Sequence, residues 1–130
     1  MTINLPNDLK YTPNDEWLRI EGKVGTVGIT DYAQQQLSDI VFVEILVGVG
    51  ESVSKGDSCA TVESVKAAAD VYMPVSGKVM AVNEDLSSAP EMINSDPYGA
   101  AWMIKIEISE PNELNELLDV AAYEKRTQEK

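Results

Sequence analysis

The run Val62-Glu63-Ser64-Val65-Lys66-Ala67-Ala68-Ala69-Asp70 constrains the fold of this chain more than any other stretch. It sets one lysine, Lys66, between two valine-bearing segments that read as strands, residues 60–62 and residues 71–73. A cation in the middle of such a segment is a poor core residue. At the tip of a hairpin its amine stands in water, and small neighbours leave it open to another protein. Residues 63–69 contain several good helix formers, and propensity alone would read helix. The segment is too short for a stable isolated helix. Its β-branched flanks, and Pro74 beyond, favour strand, turn, strand.

The rest of the chain carries more strand signals than helix signals. Residues 16–21 alternate apolar and polar, Gly22-Lys23 reads as a turn, and residues 24–29 follow as a second strand. Residues 30–37 suit a short helix, with Thr30 as cap and Asp31 at its positive end. Residues 40–47 form an apolar run, and Gly48, Gly50 and Gly56-Asp57 punctuate the short strands expected next. Residues 78–82 read as a strand, and residues 84–95, with Pro90, as a loop holding at most a helical turn. Asp96-Pro97-Tyr98-Gly99 is a turn signal. Trp102, Ile104, Ile106 and Ile108 then alternate with Met103, Lys105 and Glu107, the clearest half-buried strand in the chain.

Both ends read differently. Residues 1–15 are expected to be an extended lead-in, because Pro6 and Pro13 interrupt any helix. Leu114, Leu117, Leu118 and Ala121 recur at helical spacing, so residues 112–123 are expected to form a C-terminal helix packed on the sheet. Residues 124–130 are fully polar and are expected to fray. A faint echo links Gly50-x-x-Val53 and Gly77-x-Val79, each followed by an acidic turn; it suggests two similar sheet halves meeting at the lysine hairpin.

Composition excludes several classes of function. With 130 residues the simplest organisation is a single domain. Ten basic against 22 acidic residues give a net charge of -12, which repels nucleic-acid backbones and anionic lipid and suits a partner with a basic face. The chain has no histidine, which removes Ser-His-Asp and Cys-His catalysis and the common zinc sites. No metal is expected. The single cysteine, Cys59, lies in a strand-like run and reads as a buried, inert thiol. No apolar run is long enough to span a membrane, and residues 1–6 show neither a signal peptide nor a transit pattern, so a cytoplasmic location is expected.

Five separated stretches resemble, in order, the H protein family of the glycine cleavage system. They are Thr26-Val27-Gly28-Ile29-Thr30-Asp31-Tyr32-Ala33, Ser38-Asp39-Ile40-Val41-Phe42-Val43-Glu44, Val62-Glu63-Ser64-Val65-Lys66-Ala67, Pro74-Val75-Ser76-Gly77, and Ile93-Asn94-Ser95-Asp96-Pro97-Tyr98-Gly99 with Trp102. The resemblance runs over residues 16–123. The chain departs from the family at three places. Asp15 stands where the family often has His before the Glu-Trp pair, and Ser38 where it often has Gly. Lys66-Ala67-Ala68-Ala69-Asp70 replaces the usual Lys-Ala-Val-Ser-Asp.

The resemblance implies a mainly β fold: a lipoyl-domain-like flattened barrel or sandwich of two antiparallel sheets, with short helices and a C-terminal helix. It implies lipoate joined to Lys66 by an amide, with Glu63, Ser64, Val65 and Ala67 as the attachment-site recognition residues. It further implies that the arm carries the aminomethyl group of glycine from glycine decarboxylase to an aminomethyltransferase. Dihydrolipoamide dehydrogenase then reoxidises the dithiol, and a lipoate ligase or lipoyl transferase attaches the cofactor. The chain would be a monomeric carrier, not an enzyme. The family is thought to shelter the loaded arm in a cleft; Glu16, in the Glu-Trp pair, and Asp70, four residues beyond Lys66, are the candidates to hold its amine. The alternative is a lipoyl-relay or interaction protein of the same fold without glycine cleavage activity. A biotin carrier would usually place methionines beside the lysine, where this chain has Val65 and Ala67. A lipoyl domain of a 2-oxo acid dehydrogenase would lack the region 16–33 and the C-terminal helix.

Overall fold

The computed structural model describes residues 4–128. Among the described residues nine strands form two antiparallel sheets. In chain order they are β1 (Lys10–Tyr11), β2 (Glu16–Glu21), β3 (Val24–Ile29), β4 (Ile40–Ile45), β5 (Ser52–Val53), β6 (Ser58–Ser64), β7 (Ala68–Tyr72), β8 (Gly77–Val82) and β9 (Ile104–Ile108). The larger sheet has the order β1-β2-β3-β9-β8-β5, and the smaller β4-β6-β7. Among the described residues four α-helices decorate them: α1 (Asp31–Leu37), α2 (Asp85–Ser88), α3 (Met92–Ser95) and α4 (Val120–Gln128). The result is the mainly β, lipoyl-domain-like sandwich with short helices and a C-terminal helix that the sequence implied.

The main core takes side chains from both sheets, among them Leu18, Val27, Val43, Val62, Val71, Val79 and Ile106. A second apolar cluster, Leu9, Tyr11, Trp17, Tyr98 and Tyr123, covers the other face of β2. Strand β2 is therefore buried on both faces. Side chains alternate along a strand, so Glu16, Leu18 and Ile20 share the face toward the main core while Trp17 enters the second cluster. That is why Glu16 is only 2% exposed although the sequence pattern does not distinguish it from a surface acid. Close packing here needs Gly28 opposite Trp17, since a Cβ at 28 would lie 2.6 Å from the indole ring.

The helix at residues 31–37 forms as expected, with Thr30 Oγ1 accepting the Ala33 N–H at 3.1 Å. Residues 84–95 hold more order than a loop: α2 and α3 place Leu86 and Ile93 fully in the core. The strand expected from Trp102 starts at Ile104, and Met103, assigned to the polar side of the alternation, is fully buried. The echoing segments do meet, Val53 pairing with Gly77, but in the six-stranded sheet and not in the sheet that carries the lysine hairpin.

The C-terminal expectation needs correction. Residues 112–123 are not one helix. A 3₁₀ helix spans Pro111–Glu116, Leu117 is extended, and α4 begins at Val120. The interruption has a cause in the first strand: Tyr11 and Leu118 exchange two backbone hydrogen bonds, 2.9 and 2.8 Å. These bonds hold Leu118 extended against the sheet edge. Asp119 Oδ1 then accepts the Ala122 N–H at 2.8 Å, giving α4 a start signal. Leu114 and Leu117 do pack on the main core and Leu118 on the second cluster, but Ala121 is exposed and Tyr123 takes the buried place. Residues 124–128, expected to fray, complete α4 and bury Thr127; residues 129–130 lie outside the described residues. The expected extended lead-in, residues 1–15, contains β1 and buries Leu9 and Tyr11; residues 1–3 lie outside the described residues.

Candidate functional site: an exposed lysine at the rim of an acidic cleft

Strands β6 and β7 pair from Ser58↔Tyr72 to Glu63↔Ala68, leaving Val65, Lys66 and Ala67 as a tight connection. Ser64 holds this turn together. Its Oγ accepts the N–H groups of Lys66 at 3.1 Å and Ala67 at 2.9 Å, and donates to the Ala67 carbonyl at 3.0 Å. The Val65 N–H donates to the Asp39 carbonyl at 3.0 Å, which anchors the tip to the loop after α1. With the local polar groups satisfied by Ser64 and Asp39, the side chains are free to point outward. Glu63, Val65, Lys66 and Ala67 are all exposed, Val65 to 68%.

The Lys66 ammonium sits 3.5 Å from the Gln36 carbonyl of α1. That places it at the rim of a cleft of about 100 Å³ lined by Asn14, Asp15, Glu16, Gln36 and Asp70, with Ile29, Ala33, Leu37, Val62, Ala69 and Val71 as apolar walls. The fold thus brings Glu16, from β2, and Asp70, from β7, to one cleft. Their environments differ. Asp70 is exposed, with the Tyr72 hydroxyl 3.4 Å away. Glu16 is buried: Oε1 receives the Thr12 hydroxyl at 2.5 Å and Oε2 the Tyr72 N–H at 3.1 Å. Burial lifts its carboxyl to about 7, the Thr12 and Tyr72 hydrogen bonds oppose that rise, and the neighbouring Asp15 charge adds to it. A buried carboxyl poised near neutrality gains its charge readily when a cation arrives.

Cys59 is fully buried, and its thiol donates to the Val71 carbonyl at 3.3 Å. Burial, with the Glu16 charge next in size, pushes it up to about 12, which leaves it inert at neutral pH. Among the described residues no group of three or more His, Cys, Asp or Glu could hold a metal ion, and no helix is long and apolar enough to cross a membrane.

Comparison with known proteins decides the family. The sequence model described as "Glycine cleavage H-protein" matches residues 9–130. The chain belongs to the glycine cleavage H-protein family. The glycine cleavage system H protein of Carboxydothermus hydrogenoformans is 55% identical over 125 residues, covering 96% of this chain and 95% of its own. That of Thermotoga maritima is 56% identical over 115 residues, covering 88% and 92%. The crystal structure of a glycine cleavage system H protein from Mycobacterium marinum superposes with a TM-score of 0.83 at 36% identity, covering 95% of this chain and 99% of that one. With relatives this close along nearly the whole chain, its role is that of an H protein of the glycine cleavage system, a carrier component. A relay or interaction protein of the same fold is not favoured.

Several residues of the site carry no functional signal in the sequence. Ser64 builds the turn as well as flanking the lysine. Thr12, Tyr72 and Gln36 contact Glu16 or Lys66, yet no spacing rule links them to residue 66. Only the turn-forming Thr12-Pro13-Asn14-Asp15 carries a local signal, and the structure puts Asp15 there at a φ of 71°.

Proposed function

We propose that Lys66 is the lipoyl attachment site and that the chain carries the aminomethyl group of glycine on that arm between the enzymes of the glycine cleavage system. The observation that carries this reading is the position of the Lys66 Nζ, exposed on a hydrogen-bonded tip and 3.5 Å from a carbonyl on the rim of the acidic cleft. The residues present suit the group. An amide at Nζ costs no buried ion pair, and Ile29, Ala33, Leu37 and Val71 offer apolar wall to an aliphatic arm. Lipoate, when bound, supplies a ring disulfide that a carbon nucleophile or thiolate can open and that a redox partner can close again.

Everything else is done by the chain. Glu63, Val65 and Ala67 present an accessible, small-featured tip to a lipoate ligase or lipoyl transferase, with Ser64 fixing its shape. Glu16 and Asp70 hold the amine of the loaded arm by charge-assisted hydrogen bonds, Glu16 from inside the cleft and Asp70 at its edge. Tethering keeps the group at high local concentration for glycine decarboxylase, the aminomethyltransferase and dihydrolipoamide dehydrogenase in turn. The chain supplies no catalytic group of its own, works as a monomer in the cytoplasm, and docks through an acidic surface.

Peptide mass mapping after incubation with a lipoate ligase tests the assignment. A lipoyl increment on the Lys66 peptide is expected, and none anywhere in Lys66→Ala. Modification retained in Lys66→Ala overturns it. Glycine decarboxylation with partner enzymes from the same source tests the carrier role, which fails if the lipoylated chain supports no turnover. Amine release from the loaded arm, measured without the transferase, tests the shelter. Glu16→Gln and Asp70→Asn should release faster than the parent chain, and unchanged rates overturn their role.

A further inference from the structure

We propose that Thr12 is a positioning residue for this carrier: its hydroxyl fixes the Glu16 carboxyl at the cleft and holds it ready to pair with an ammonium. The inference rests on the reading of Glu16 given above. A threonine hydroxyl has one proton and two acceptor sites. Both acceptor sites of Thr12 Oγ1 are taken, by the Asn14 N–H at 3.2 Å and the Glu16 N–H at 3.1 Å. Its single proton is therefore committed to Glu16 Oε1, 2.5 Å away. The Tyr72 N–H is committed in the same way to Oε2 at 3.1 Å.

Two donors that cannot turn away favour the acceptor-only, ionised carboxyl. A proton on Glu16 has to sit on an oxygen that already receives one of them. Burial opposes ionisation, and Thr12 is the larger of the two hydrogen bonds that resist it. Thr12 is itself buried, so water does not readily replace its hydroxyl. It also lies on the wall of a second cleft, of about 300 Å³, with Glu16, Tyr72 and Leu117. Glu16, on β2, thus lies between a cleft it shares with Asp70 of β7 and one it shares with Tyr72 of β7. The Thr12 hydrogen bond holds the carboxyl at that junction.

The test follows the Glu16 carboxyl carbon by NMR in the full chain from about pH 4 to about pH 9. Thr12→Val should raise the Glu16 midpoint by roughly one pH unit, the equivalent of one lost hydrogen bond to a charged group. Thr12→Ser, which keeps the hydroxyl, should titrate like the parent chain. If the valine is not accommodated, Thr12→Ala repeats the measurement. An unmoved midpoint in a folded Thr12→Val or Thr12→Ala overturns the proposal. In loaded protein at neutral pH, amine release should quicken roughly tenfold in Thr12→Val and return to the parent rate in Thr12→Ser. A moved midpoint with unchanged release supports the Thr12–Glu16 coupling and overturns the guarding role of Glu16.

Discussion

The Tyr123 hydroxyl lies 2.7 Å from Thr30 Oγ1, tying α4 to the residue that caps α1. The same hydroxyl donates to Asp15 Oδ1 at 2.9 Å, so its oxygen receives the Thr30 proton. Its ring stacks on Tyr11, centroids 4.7 Å apart and planes 9° from parallel. One side chain near the C-terminus thereby joins the first strand, the first helix and a wall of the cleft beside Lys66. Tyr123→Phe keeps the stack and removes both hydrogen bonds. It should cost about 1–3 kcal/mol and lower the melting temperature by several degrees. Tyr123→Ala should cost about 3–5 kcal/mol. Thermal unfolding checks both, and a phenylalanine variant as stable as the parent would show the pair to be energetically idle.

Glu16 should make stability depend on pH in the direction opposite to an ordinary salt-bridged acid. Burial lifts its carboxyl from the ordinary value of 4.5 to about 7 in the folded chain. Between those values the native state binds more protons than the unfolded state, so stability falls as pH rises. The contribution is complete below about 4.5 and is lost on approaching 7. The span corresponds to a few kcal/mol at most. Denaturant unfolding of Glu16→Gln should lack this decline. Parallel pH profiles for the variant and the parent chain would contradict the assignment.

Ser38 holds a φ of 68° with ψ of -147°, a region populated almost only by glycine. Its N–H closes α1 on the Gln34 carbonyl at 2.9 Å, and its carbonyl accepts the Asn94 amide at 2.9 Å, so neighbours hold it there. Ser38→Gly should relieve the strain and stabilise the fold by roughly 1 kcal/mol. Ser38→Val should destabilise it. Chemical denaturation of the two variants decides, and a glycine variant less stable than the parent would show that the serine hydroxyl contributes more than the backbone costs.

Leu117 and Glu116 are neighbours with different fates. Leu117 is half-buried on the main core, while Glu116 is exposed and pairs with Lys55 at 2.6 Å. Leu117→Ala should cost about 2 kcal/mol, at the low end for a leucine because the site is only partly buried. Glu116→Ala should cost under about 1 kcal/mol, since exposed ion pairs contribute little. Equal melting temperatures for the two variants would mean the 3₁₀ segment does not pack on the sheet.

Local chemistry made the lysine hairpin, the Thr30-capped helix and the alternation of Ile104, Ile106 and Ile108 legible without coordinates. Periodicity of two and a capping threonine are properties of consecutive residues, and the exposed position of Lys66 follows from the unsuitability of a lone cation for a core. The family motif around it added the cofactor expectation. What consecutive residues do not encode is the covering of a strand's second face. The family resemblance singled out Glu16, but its residue pattern is that of any strand-end acid. Its burial came only when Trp17 was buried by Tyr98, Tyr11 and Tyr123, and when β7 brought the Tyr72 N–H to its carboxyl, 56 residues along the chain. The bounds of the C-terminal helix, expected at 112–123, shifted for the same reason. Leu114, Leu117, Leu118 and Ala121 carry a helical spacing, but two backbone hydrogen bonds to Tyr11, over a hundred residues away, hold Leu118 extended and move the helix on to Val120. Spacing along the chain determined which elements the sequence favours. Long-range burial and hydrogen bonding decided where the C-terminal helix begins, and brought Glu16 and Asp70 together at the cleft beside Lys66.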